Sequence, residues 1–181
     1  GPLITPSLWQ PRIEAIEKYE REFWGSTVSA EERGKFQRFA VALSAETTEG
    51  AAMLRELTGG REAYVVVHVS DLYKLGLMLP DRIGVAYKDF PLKGGGDVHG
   101  LSAMVKRWLM DNNYTSQTVH GLSENYVRAY FLTDDKSNNT LLAQMLPMTT
   151  SQPLEFKAVK LVHKQGGYWV YKIPSAQPSN N

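Results

Sequence analysis

The segment Lys93-Gly94-Gly95-Gly96-Asp97 has the residue types of a phosphate cradle. Glycines ahead of a helix leave backbone N–H groups free to meet an anion, and the helix dipole adds to the attraction. A Walker loop also needs a Lys-Ser/Thr pair after its last glycine, and here Asp97 stands at the helix start, where it repels an anion. A plain surface loop accounts for the segment. The four histidines are His68, His99, His120 and His163. None shows the two-His helical spacing or carboxylate pairing of a metal site, so neither a metal nor a cofactor is expected. His99 beside Asp97 is the stronger acid–base candidate, because nearby charge moves an imidazole pKa across neutrality. His68 lies in an apolar run, where a hydrogen-bonded core histidine is the ordinary explanation. There is no Gly-x-Ser-x-Gly elbow. Asp71, Asp81, Asp89 and Asp97 all fall in predicted turns, and turn chemistry explains each of them.

Aromatic side chains offer a second kind of chemistry. Tyr64, Trp108, Tyr130 and Trp169 are candidate walls of an internal pocket for a small apolar molecule, although aromatics at such spacings are normally core. Tyr126, Arg128, Tyr130, Tyr171 and Lys172 interleave in a pattern able to stack single-stranded nucleic acid. No recognition motif accompanies them, and no nucleic-acid partner is expected.

These residues must be positioned by helices first and strands later. Trp9, Ile13, Ile16, Tyr19 and Phe23 recur at helical spacing. Ser29 and Glu32 form a capping box for a second helix through Phe36, Phe39, Ala40 and Leu43, with a break near Gly50 and an end at Gly59-Gly60. Residues 63–69 read as a central strand covered on both faces. Ser70-Asp71 opens a short turn carrying Leu72, Leu75 and Leu77, and 83–87 forms a further strand. Asp97 caps a helix through Val98, Leu101, Val105, Trp108 and Leu109 that ends at Asn112-Asn113. Antiparallel strands are expected at 116–121, 126–133, 140–146, 154–163 and 168–173. A β-bulge near Ala158 is expected from the shift in apolar phase, and a hairpin turn at Lys164-Gln165-Gly166-Gly167.

With 181 residues, 43% of them hydrophobic, the chain is long enough for one domain around one core. A net charge of +1 argues against duplex DNA. After residue 135, however, Lys136, Lys157, Lys160, Lys164 and Lys172 face Glu155 alone, and solvated lysines guarding sheet edges are the ordinary reading. With no cysteine, disulfides and thiolate chemistry are absent. No apolar run approaches the ~20 residues of a membrane span. Gly1-Pro2 matches the remnant of a rhinoviral-protease cleavage, so 1–6 is read as a remnant and lead-in, 7–174 as a single α+β domain and 175–181 as a disordered tail. A longer parent chain is expected from that remnant.

The order of elements, with helices first and then bent antiparallel strands closing in a Gly-turn hairpin with Trp169, resembles the nuclear-transport-factor-two-like, or cystatin-like, superfamily. The resemblance rests chiefly on Phe156 to Ile173 and implies N-terminal helices packed on a curved, mainly antiparallel sheet. Members include isomerases, inert dimerisation modules and periplasmic domains of secretion or conjugation machines. The leading expectation is a non-catalytic interaction or assembly domain, the soluble part of a bacterial envelope complex, working by self-association or through a protein partner. The alternatives are a small-molecule binder or isomerase-type enzyme with an internal pocket, and an immunity or inhibitor protein.

Overall fold

Apolar side chains spaced by three and four build the helical first part of the fold. The structure, a computed structural model, describes residues 18, 21, 22, 30–92, 98–151 and 159–176. The expected helix through Trp9 to Phe23 and the cap at Ser29 lie largely outside these residues. Helix α1 spans Ala30–Ser44 and α2 spans Thr47–Leu57. Ala40, Val41, Ala42 and Leu43 are buried, whereas Phe36, expected on the same face, is 56% exposed. The break predicted near Gly50 falls instead at Ala45-Glu46, because the Glu46 carboxylate caps α2 by accepting from the Thr48 and Glu49 N–H groups at 3.0 and 3.3 Å. Gly50 stays helical and serves packing: a Cβ there would overlap the Ala42 carbonyl oxygen and stand 3.0 Å from Leu141 Cβ. The helix ends as expected at Gly59 and Gly60, with φ of 61° and 73°.

The remaining elements are β1 (Ala63–His68), α3 (Asp71–Met78), β2 (Val85–Pro91), α4 (Val98–Asp111), β3 (Ser116–Gly121), β4 (Tyr126–Leu132), α5 (Asp135–Asn138), α6 (Leu141–Met145), β5 (Lys160–Gln165) and β6 (Tyr168–Ile173). The α+β class and the antiparallel pairing stand. The described strands are divided between two sheets of three, ordered β1-β6-β5 and β2-β4-β3. The predicted hairpin turn closes β5 onto β6 through Gly166 and Gly167, both at positive φ, 55° and 84°, as a two-residue turn matched to strand twist requires. Ala158 lies outside the described residues. The register irregularity within them falls between Leu161 and His163.

Two expectations are corrected by packing. Among the described strands β1 is an edge strand paired only with β6, and it alternates: Val65 and Val67 are buried while Tyr64 and Val66 are each 57% exposed. Its run of β-branched residues hides that alternation. The strand covered on both faces is β4, central in its sheet and buried from Ala129 to Leu132. Residues 140–146 are helical rather than extended, since Thr140 Oγ1 accepts from Ala143 N–H and starts α6. Leu141, Leu142 and Ala143 are wholly buried, so the apolar run carries no period of two.

Among the described residues, buried apolar side chains form two clusters. The larger joins α1, α2, α3, α6 and the inner face of β1 and β6, with Leu54, Leu72, Leu142, Val67 and Ile173 at its centre. Tyr171 donates to the Met145 carbonyl at 2.7 Å, and burial pushes its phenol up to about 12. The smaller cluster lies across β4 and consists of Phe90, Val105, Ala129 and Phe131, with Leu101, Trp108 and Leu109 of α4 against it. Thus β2-β4-β3 is a shared wall between two cores.

Candidate functional site

The two sheets meet in a seam of polar and aromatic side chains. His68 at the end of β1 packs edge-on against His120 of β3, with ring centroids 4.8 Å apart, and against Tyr168 of β6 at 4.5 Å. The Ser70 backbone N–H donates to His68 Nδ1 at 3.1 Å. A backbone N–H only donates, so Nδ1 is the accepting nitrogen and the neutral ring carries its proton on Nε2. Gly167 makes room for the pair: a Cβ on it would stand 3.1 Å from His68 Nε2 and 2.9 Å from His120 Nδ1. Burial chiefly, and then the neighbouring His120, hold the His68 pKa below its ordinary value of 6.5, opposed by Asp71, while Lys74 adds to the lowering.

A depressed histidine pKa means that the unfolded chain takes up the proton first. Stability is therefore intact above the ordinary value of 6.5 and is lost as the pH falls through the lowered folded value. Denaturant midpoints measured from pH 8 to pH 5 are expected to decline below 6.5. In His68→Gln that decline flattens; an unchanged pH profile in the variant would remove His68 as its source.

The row beside His120 continues the seam across the second sheet. His120 faces Arg128, which in turn faces Asp89 in register. Arg128 grips Asp89 through two bonds of 2.7 and 2.8 Å and lies 4.2 Å over the Tyr87 ring. Tyr87 meets Tyr73 of α3 edge-on at 4.9 Å. The guanidinium holds the Asp89 carboxyl below its ordinary range, and the pair holds Arg128 charged. Asp89, expected in a turn from its residue type, stands instead in mid-strand, where an arginine across the ladder satisfies it.

Outside the seam lies an open face. Directly opposed residues share a face of an antiparallel sheet, so the register builds three rows on the outer side of β1-β6-β5: Tyr64–Lys172–Lys160, Val66–Val170–His163 and His68–Tyr168–Gln165. Tyr64, Val66 and Tyr168 are 57%, 57% and 54% exposed. Lys172 binds Glu62 at 2.9 Å. No described helix packs against this side, since α3 and α6 meet the opposite, core-facing side.

The family model whose description is HaoA-associated protein HaoB matches residues 1–173. The chain belongs to the HaoB family. Comparison with the curated proteins and with the solved structures gave no match. In this HaoB-family chain the expected site residues do not converge. His99 is exposed in the first turn of α4, and Asp97 lies outside the described residues. Tyr64 and Trp169 occupy opposite faces of one sheet. Trp108, with Lys88 4.6 Å over its ring, packs on the smaller core, whereas Tyr130 is buried in the larger one. Two surface clefts, of about 410 and 400 Å³, are lined by other residues: Lys35, Arg38, Met53, Glu56 and Leu57 for one, Arg82, Glu46, Glu49 and Lys136 among those of the other. Among the described residues no group of three or more His, Cys, Asp or Glu side chains is placed to hold a metal, and no helix is long and apolar enough to cross a membrane. Of the interleaved residues read as a stacking surface, Tyr130 and Tyr171 are buried and Arg128 is engaged by Asp89.

Proposed function

We propose that this chain is a non-catalytic accessory protein that binds HaoA. The observation that carries the reading is the family match along residues 1–173. The open face of β1-β6-β5 supports it, because contiguous exposed apolar side chains on a folded protein mark surfaces that meet another molecule. The test is sedimentation velocity of the purified chain with HaoA from the same source. The expected result is a faster-sedimenting complex that persists in His99→Ala and Asp97→Ala variants. Two components that sediment independently at micromolar concentration would sink the reading. A complex whose effect on HaoA vanished with His99 would assign a chemical role instead.

In its finer form the proposal makes the chain the soluble part of an assembly in the bacterial envelope, with the cystatin-like superfamily's inert interaction modules as its nearest functional analogues. Cell fractionation tests the location: the chain should appear with the periplasmic or membrane fraction, and recovery with cytoplasmic markers would remove that placement.

A further inference from the structure

We propose that the outer face of β1-β6-β5 is the docking surface for a protein with an apolar centre and an acidic rim. The inference rests on the accessory reading above and names the surface that such a protein uses.

The apolar part is continuous. Tyr64 and Val66 stand on β1, and Val170 and Tyr168 follow beside them on β6, with Tyr64, Val66 and Tyr168 all more than half exposed. Three six-residue strands span roughly 20 by 14 Å, well below the ~800 Å² that each partner gives to a standard interface. The face is therefore sized as the central anchor of an interface, whose rim must extend beyond it.

The charges around this centre specify the partner. Lys160 lies directly across from Lys172, and like charges opposed on a sheet face destabilise it. Glu62 answers Lys172, while among the described residues no carboxylate lies within ion-pair distance of Lys160. His163 occupies the next row on the same side. Guarding of a free edge explains lysines on β5, but Lys172 sits on the central strand of its sheet, where there is no edge to protect. Opposed lysines of which only one has a carboxylate partner among the described residues suit an acidic group supplied from outside. An acidic rim relieves the opposition. A second copy docked by the same face brings the same lysines and, among the described residues beside these rows, only a Glu62 that Lys172 already engages, so it adds no free carboxylate for Lys160.

The experiment measures binding of purified HaoA by calorimetry to the wild type, Lys160→Glu, Tyr64→Ala and the far-side control Lys106→Glu, at low and high salt. Lys160→Glu places an opposite charge across from Lys172, so its melting temperature should equal or exceed that of the wild type, which separates a binding defect from a folding defect. Its affinity is expected to fall by more than about tenfold, with a weaker salt dependence, and Tyr64→Ala should weaken binding comparably. Lys106→Glu should stay within about twofold, as surface charges distant from an interface do. If HaoA binds the wild type and binds both face variants equally well, this surface is wrong while the accessory reading stands. If the wild type does not bind HaoA, both fall. A self-dimer broken by Lys160→Glu would assign the face to a second copy and overturn the proposal as well.

Discussion

Replacing Phe131 by alanine is expected to cost about 3–5 kcal/mol and to loosen α4 from its sheet before the rest of the molecule unfolds. Phe131 is wholly buried on the α4 side of β4 and belongs to a cluster whose other buried members are Phe90, Val105 and Ala129. Its ring also meets Tyr114 at 5.3 Å. A cluster this small has few neighbours able to shift into the vacated space, which places the loss at the upper end of the range for large-to-small substitutions. Against a total stability of ~5–15 kcal/mol for a typical domain, such a loss is a large fraction. The larger core keeps its own contacts, because Leu132 and Tyr130 point to the other side of the strand. Hydrogen exchange should therefore show α4 amides losing protection first, while α1, α2 and α6 keep theirs. A cost below about 1 kcal/mol, with α4 still protected, would mean that α4 is held by something other than this cluster.

The same strand marks where sequence reasoning reached its limit. Residues 126–133 were recognisable as a strand, and β4 covers 126–132. Its central, doubly covered position was assigned instead to 63–69, whose unbroken Ala-Tyr-Val-Val-Val-His-Val run looks the more buried. β-branched residues fit a pleated surface whether or not another layer covers it, so composition alone does not separate an exposed strand face from a buried one. What decides is the layer above, and that depends on how distant segments stack. The helix at 141–145 is hidden in the sequence for a related reason. Leu141, Leu142, Ala143 and Met145 are all buried, so no apolar period shows, and the Thr140 cap is what distinguishes it from a strand.

Local features were legible where backbone geometry is local. Gly59-Gly60 ends a helix, Gly166-Gly167 turns a hairpin, and Asn113, with φ of 55°, closes α4 in the predicted place. The candidate site was far less legible. His68 and His120 come from different sheets, and nothing in their separation along the chain announces a contact. Asp89 and Arg128 likewise meet only through the β2–β4 register. The outer face was partly within reach: a two-residue turn at Gly166-Gly167 fixes the pairing of Gln165 with Tyr168, and counting back along the hairpin, with one extra residue at the irregularity between Leu161 and His163, sets Lys160 against Lys172. The lysine excess after residue 135 is only a count in the sequence, and the register turns that count into a face.

A matched pair of glycines provides the sharpest test of how α1 and α2 are held together. Gly50→Ala should destabilise the protein, and Gly34→Ala should stabilise it, although both sites are helical and both substitutions gain about 1 kcal/mol of helix propensity. At Gly34, in α1, an added Cβ meets, among the described residues, only the end of the Arg38 side chain at 3.6 Å, an ordinary contact with a group that can move, so the propensity gain survives. At Gly50 it overlaps the Ala42 carbonyl oxygen and stands 3.0 and 3.1 Å from Leu141 Cβ and Cδ2. Ala42 and Leu141 are both fully buried, and the first obstacle is backbone, so relief requires α1 and α2 to move apart. Overpacking of this kind costs about 1–3 kcal/mol, and more where backbone must shift, which outweighs the propensity term. Urea denaturation of the two variants should give midpoints on opposite sides of the wild type. Two rises would mean that α1 and α2 sit farther apart than this structure has them, and that the space near Gly50 tolerates a methyl group. Two falls would trace the loss at Gly34 to contacts beyond Arg38, and the contrast would then say nothing of how closely α1 and α2 approach.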